Sequence, residues 1–154
     1  MSTPQFHESG MRVALEAARA AIAAGELPYG AAVIGADGVA IAVEHDRVAA
    51  SGDPTRHGEF DAVRAAIAAR GGDLSGCILV STVEPCAMCS GAAWYAGIAT
   101  AVFGLSMEDL QAIRPDALEA PLGPVAALYR GMARRLDAVP GVLHEACRAL
   151  WTGR

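Results

Sequence analysis

An α/β layered domain is the fold class this sequence predicts, and three observations carry it. Short apolar runs alternate with longer alanine-rich stretches, as strands alternate with helices in layered domains. Glycine and proline punctuate the boundaries between them. Finally, 154 residues with 53% hydrophobic and 19% charged content suit one compact domain over residues 1–154.

Taken in order, Ser9 is placed to N-cap a helix over residues 11–24, where Val13, Ala17, Ala20 and Ala24 recur at helical spacing and Gly25 supplies the stop. The runs 31–34 and 39–43 flank Ala36-Asp37-Gly38 and predict a hairpin. Residues 46–56 read as a loop. A second helix is expected over 57–69, ending before Gly71-Gly72. The continuous apolar run 77–81 suits an interior strand. Pro85 opens a third helix over 86–96, and 99–104 reads as another strand. Prolines at 115 and 121 make 107–123 irregular, with helices expected over 124–135 and 142–151. Strand pairing beyond the first hairpin is expected to be parallel.

The formal charge of -5 lowers the expectation of a nucleic-acid partner, because gripping a phosphate backbone calls for a basic face. No run approaches the roughly 18 apolar residues of a membrane span. The first eight residues carry neither a cationic nor an apolar signal region, so a cytoplasmic location is expected. In that compartment four cysteines are better metal ligands or buried thiols than disulfides. The alanine-rich core is thin, and subunit pairing would add burial.

Two short pieces carry chemistry: His57-Gly58-Glu59 at the start of the second helix and Pro85-Cys86-Ala87-Met88-Cys89 at the start of the third. Residues i and i+3 share a helix face, so Cys86 and Cys89 can reach one ion. A helix N-terminus also favours the thiolate that binds zinc. With His57 as third ligand, one position stays open, which is the coordination of a catalytic rather than a structural zinc. Glu59 is close enough to act as proton carrier without being a ligand, on a water whose pKa zinc lowers to about 7. The competing readings of C-x-x-C are a redox dithiol or half of a four-cysteine structural site. The second needs two more ligands, and Cys77 and Cys147 stand singly in apolar surroundings.

H-x-E paired with P-C-x-x-C marks zinc deaminases of nucleobases, and the sequence resembles the cytidine deaminase superfamily. The similarity is greatest to the branch with guanine deaminase, yeast-type cytosine deaminase and bacterial tRNA adenosine deaminase. Leu27-Pro28-Tyr29-Gly30-Ala31 resembles its first strand, Asp53-Pro54-Thr55-Arg56-His57-Gly58-Glu59 its D-P-T-x-H-[AG]-E, and Thr82 to Ala92 its T-x-E-P-C-x-M-C-x-G-A. The resemblance implies a three-layer α/β/α fold around a five-stranded mixed sheet, a zinc cofactor and a homodimer. It implies substrate contacts from Tyr29, at the position bordering the base, and from Gly58.

Glu84 carries two readings: a carboxylate complementing the helix start behind it, or a substrate contact. Trp94 and Tyr95, on the same helix, read as core, dimer or stacking residues. Where the family offers an asparagine to the base, this chain places Asp46. An asparagine amide donates and accepts, whereas an ionised aspartate only accepts. Asp46 therefore points to amino-rich pyrimidine, purine or triazine rings; the alternative is an Asp46 that stays protonated, or that points away and caps a turn. The implied reaction is zinc-dependent hydrolytic deamination of such a free base. The segment from Leu105 to Leu110 is acidic, and the tail 148–154 is only weakly basic, which favours a small substrate over tRNA. The alternatives are a tRNA adenosine deaminase forming inosine and a non-catalytic, zinc-stabilised binding protein.

Overall fold

The computed structural model describes residues 4–116 and 134–153. Helix α1 spans Pro4–Ala23, β1 Gly30–Ile34, β2 Ala40–His45, α2 Val48–Ser51, α3 Gly58–Arg70, β3 Ile78–Val83 and α4 Ala87–Tyr95. Then follow β4 Thr100–Leu105, α5 Met107–Ile113, β5 Asp137–Val139 and α6 His144–Ala149. None of these helices is long and apolar enough to cross a membrane.

The strands form one mixed sheet in the order β2-β1-β3-β4-β5. β1 is antiparallel to both β2 and β3, while β3–β4 and β4–β5 are parallel. The expectation of parallel pairing beyond the hairpin therefore fails at β1–β3. Its physical origin is that β2 and β3, joined through α3, do run the same way but are not neighbours. β1 sits between them.

Strand side chains alternate between two cores, as the period of two requires. Ala32, Ile34, Val80 and Val102 pack under α1 with Met11, Ala14, Leu15, Cys147 and Trp151. Ala31, Val33, Leu79 and Ala101 face the other way, onto Ala62, Val63 and Ala66 of α3 and Ala93 of α4. Helices thus cover both faces of the sheet, giving the three layers that the resemblance implies. The alanines let helices approach closely. A Cβ on Gly30 would lie 2.1 Å from the Ala14 carbonyl, so only glycine fits where α1 crosses the start of β1.

Several local expectations are corrected. Helix α1 begins at Pro4, not after Ser9, whose hydroxyl donates back to the Phe6 carbonyl inside the helix. Its buried stripe is Met11, Ala14, Leu15, Ala18 and Ala21 with Ala17, so the phase read from Ala20 and Ala24 is wrong. A helix with alanine on nearly every face carries little phase information. The expected loop 46–56 contains α2, and the expected irregular stretch from 107 begins as α5. There Ser106 and Asp109 form a reciprocal capping box, in which each side chain accepts the other's backbone N–H. β5 has only three residues; it completes the five strands that the resemblance implies, at a position the apolar runs did not indicate. The helix expected over 124–135 lies outside the described residues except for its last two positions.

Candidate active site

Helices α3 and α4 start close together at one end of the sheet, and the cause is local. Asp53 Oδ1 accepts from the Thr55 N–H and hydroxyl, at 2.8 and 2.7 Å, forming a turn that delivers His57 to the N-cap of α3. Arg56 then donates to Asp61 on the first turn of the helix, at 2.8 Å. At α4, Pro85 leads into Cys86, which is that helix's N-cap. Neither His57 nor Cys86 uses its side chain to cap its own helix.

Instead these side chains converge. Cys86 Sγ lies 3.5 Å from Cys89 Sγ and 3.6 Å from His57 Nδ1, and Cys89 Sγ lies 3.7 Å from His57 Nδ1. A tetrahedral zinc with bonds of roughly 2.3 Å to sulfur and 2.1 Å to nitrogen has edges of about 3.8 Å (S–S) and about 3.6 Å (S–N). The three donors fit that ion. Among the described residues, His57, Cys86 and Cys89 are the group placed to hold a metal.

The proton distribution among these donors favours an anionic sulfur at Cys86 and a protonated one at Cys89. The hydrogen bond with Cys89, aided by His57 against the opposing effect of burial, draws the Cys86 thiol down to about 4. Bonding to Cys86 lifts His57 to about 9. Cys89 is held well above its ordinary range, first by its bond to Cys86 and then by burial.

Glu59 completes the cluster. It is buried, with Oε1 3.1 Å from the Ser81 hydroxyl and Oε2 3.9 Å from Cys89 Sγ. Burial is the main reason its carboxyl is pushed up to about 7. A carboxyl that loses and regains a proton near neutrality suits acid–base work.

The remaining sequence candidates fall as follows. Asp46 is buried at the end of β2, with its N–H on the Tyr29 carbonyl at 3.0 Å, and its charge is felt at His57. Gly58 is packed against the backbone at this point. A Cβ there would stand 3.1 Å from His45 backbone atoms, so the small residue lets α3 start against the end of β2. Tyr29 is half-buried and meets Trp151 edge-to-face, with centroids 5.1 Å apart. Glu84 is buried and accepts the Met107 N–H at 2.9 Å, so its carboxylate serves the start of α5. Trp94 donates from its indole to the Arg134 carbonyl at 2.8 Å and carries the Arg134 guanidinium over its ring; Tyr95 is 85% exposed. Cys77 and Cys147 are buried core thiols.

Two residues near the site were missed from sequence. Glu26 is buried, and its carboxylate accepts the N–H groups of Ala49 and Ala50 at 3.0 and 2.7 Å, clamping the segment that links Asp46 to His57. Ser81, with no exposed surface, touches Glu59. An acid between Gly25 and Leu27, and a serine interrupting an apolar strand, were the available signals.

Comparison with known proteins agrees with this geometry. Residues 4–105 match the model of the cytidine and deoxycytidylate deaminase zinc-binding region. The tRNA-specific adenosine deaminase of Haemophilus influenzae is 38% identical over 93% of this chain and 79% of its own length. A tRNA(Ile)-lysidine synthase of Deinococcus deserti is 41% identical over 85% of this chain, which spans a quarter (25%) of that protein. The solved structure of guanine deaminase from Nitrosomonas europaea superposes with a TM-score of 0.81 at 31% identity, covering 98% of this chain and 84% of that one. With a matching zinc-binding region along about two thirds of its length, the chain belongs to the cytidine and deoxycytidylate deaminase family.

Proposed function

We propose that the protein hydrolyses the exocyclic amino group of a free nucleobase or related amino-heterocycle, of guanine, cytosine or aminotriazine type, releasing ammonia. The observation that carries this reading is the meeting of His57, Cys86 and Cys89 at tetrahedral spacing with a buried carboxylate, Glu59, beside them. His57, Cys86 and Cys89 would hold zinc, which supplies the Lewis acidity that makes water nucleophilic near neutral pH.

The protein's own part in the chemistry falls to Glu59. It takes a proton from the attacking water as the new C–O bond forms at the amino-bearing carbon. It passes that proton to the adjacent ring nitrogen, and then moves a second proton to the departing amine. Water is consumed, the C–N bond breaks, and the ring gains a carbonyl. Glu59→Ala should retain zinc while kcat falls by about 10²- to 10⁴-fold. Survival of activity would mean that Glu59 is not the proton carrier, whereas a zinc-loaded wild type that releases no ammonia from any base would favour the non-catalytic, zinc-stabilised binding protein.

Asp46, buried at the end of β2, supports the preference for amino-rich rings, since an ionised carboxylate only accepts where an asparagine amide both donates and accepts. Tyr29 and Gly58 border the same space in this reading. Asp46→Asn should re-order kcat/KM across a panel of aminopyrimidines, aminopurines and aminotriazines; an unchanged order removes the idea. A homodimer in the cytoplasm belongs to the same proposal. Tyr95, exposed beside a half-buried Trp94, is the aromatic to probe by sedimentation of a Tyr95→Arg variant.

A second reading has a specific observation behind it: the similarity to the Haemophilus tRNA-specific adenosine deaminase covers nearly the whole chain. Against it stand the net charge of -5 and the acidic start of α5 at Glu108 and Asp109. Ammonia release from free guanine, cytosine and aminotriazines, measured beside inosine formation in a tRNA anticodon stem-loop, separates the two.

A further inference from the structure

A glutamate at the start of a helix has three side-chain torsions, so its catalytic use requires something to fix it. Glu59 finds this across the layer, on the central strand. β3 is apolar through Ile78, Leu79 and Val80, then becomes polar at the end nearest the site, with Ser81 and Thr82 both fully buried. The Thr82 hydroxyl is occupied by the backbone, accepting the Gly30 N–H at 3.2 Å and donating to Pro28 O at 3.3 Å. The Ser81 hydroxyl lies 2.6 Å from Val83 O and 3.1 Å from Glu59 Oε1.

A hydroxyl has one hydrogen and two lone pairs. Val83 O can only accept. With its hydrogen on that carbonyl, Ser81 presents a lone pair to Glu59 Oε1 and can accept from a protonated carboxyl. Rotated, it donates to a carboxylate instead. Glu59 Oε1 therefore keeps a partner on β3 whether or not it carries the proton, and Oε2 stays turned toward Cys89 Sγ.

We infer that Ser81 is a positioning residue for Glu59, tethering one carboxyl oxygen to the central strand so that the other faces the His57–Cys86–Cys89 cluster. The inference rests on Glu59 being the proton carrier. It is tested with Ser81→Ala, with Ser81→Cys, which keeps the volume but bonds weakly, and with Ser81→Thr, which keeps the hydroxyl. Zinc content, Tm and steady-state constants are measured on the amino-heterocycle deaminated fastest in the panel. The Glu59 carboxyl band is followed in infrared spectra of the zinc-loaded protein, identified by difference from Glu59→Gln.

The expected result for Ala and Cys is one zinc per chain, a near-normal Tm and a shifted Glu59 band. Their kcat should be about tenfold to a hundredfold lower with little change in KM, and Thr should recover most of it. Wild-type kcat in fully zinc-loaded Ser81→Ala, an unmoved Glu59 band, or a loss that merely tracks zinc content would overturn the inference. If Glu59→Ala is inactive while Ser81→Ala is fully active, only the role of Ser81 falls. If Glu59→Ala is itself active, the proton-carrier reading falls first.

Discussion

Four helices start near the candidate site, and they start in two different ways. α2 and α5 begin under acidic caps: Glu26 takes the Ala49 and Ala50 N–H groups, and Ser106, Asp109 and Glu84 serve the first turn of α5. α3 and α4 begin on His57 and Cys86, whose side chains turn away from their own helices toward each other. Every helix start exposes N–H groups that need an acceptor and a positive dipole end that favours negative charge. Where the start is structural, carboxylates and a serine meet that need. At α3 and α4 the side chains are committed elsewhere, and the positive ends face thiol and carboxyl groups that chemistry requires as anions. N-cap side chains that turn from their own helices toward each other thus mark the candidate site.

The largest effect should come from breaking the His57–Cys86 pair. Cys86→Ser should lower zinc affinity by more than about 100-fold, a loss at the upper end of what even supporting residues around a metal cause. Activity should fall with it. Chelation of the wild-type protein should depress Tm, while the variant, already metal-poor, should show little further change; elemental analysis and thermal melts in matched buffers check both. A variant that stays fully loaded with zinc would mean that Cys86 is not a ligand.

On the capped side the effects should be smaller and on stability. Glu26→Ala removes a charged acceptor of two N–H groups and should cost about 1–2 kcal/mol, read from denaturant midpoints at unchanged m-value. Hydrogen exchange at Ala49 and Ala50 should accelerate before exchange in β1 or β3. If exchange there does not change, the clamp on the 46–57 segment is unimportant.

The two kinds of start also differ in how legible they are in sequence. The His57–Cys86 pair can be read from a few residues, because i,i+3 spacing in one motif and i,i+2 spacing in the other place Cys86, Cys89, His57 and Glu59 at two helix starts without knowledge of the tertiary fold. The carboxylate that serves α2 comes from 23 residues away in sequence, as does the Glu84 bond to α5, so neither is visible locally. α5 itself had a local signature in Ser106-Met107-Glu108-Asp109, overridden in the reading by the prolines downstream. The β1–β3 pairing was opaque for a different reason. Alternation tells which face a residue takes, but says nothing of which strand inserts between which. Ser81 lay inside an apolar run, where composition argues only for burial.

Glu84 sharpens the comparison most finely, because it stands beside Cys86 yet behaves as a cap. Glu84→Gln keeps a carbonyl for the Met107 N–H but removes the charge facing the α5 dipole. The cost should be about 0.3–1 kcal/mol, made small by the Ser106–Asp109 box that already holds that turn. Zinc content should not change, and relative kcat/KM across the heterocycle panel should keep its order. Glu84→Ala should lose somewhat more stability with the same order of substrates. A substrate contact predicts the opposite pattern, in which Tm is unmoved and the ranking of bases changes with loss of charge. Paired thermal melts and panel kinetics on the two variants decide whether Glu84 belongs with the caps or with the groups that face the base.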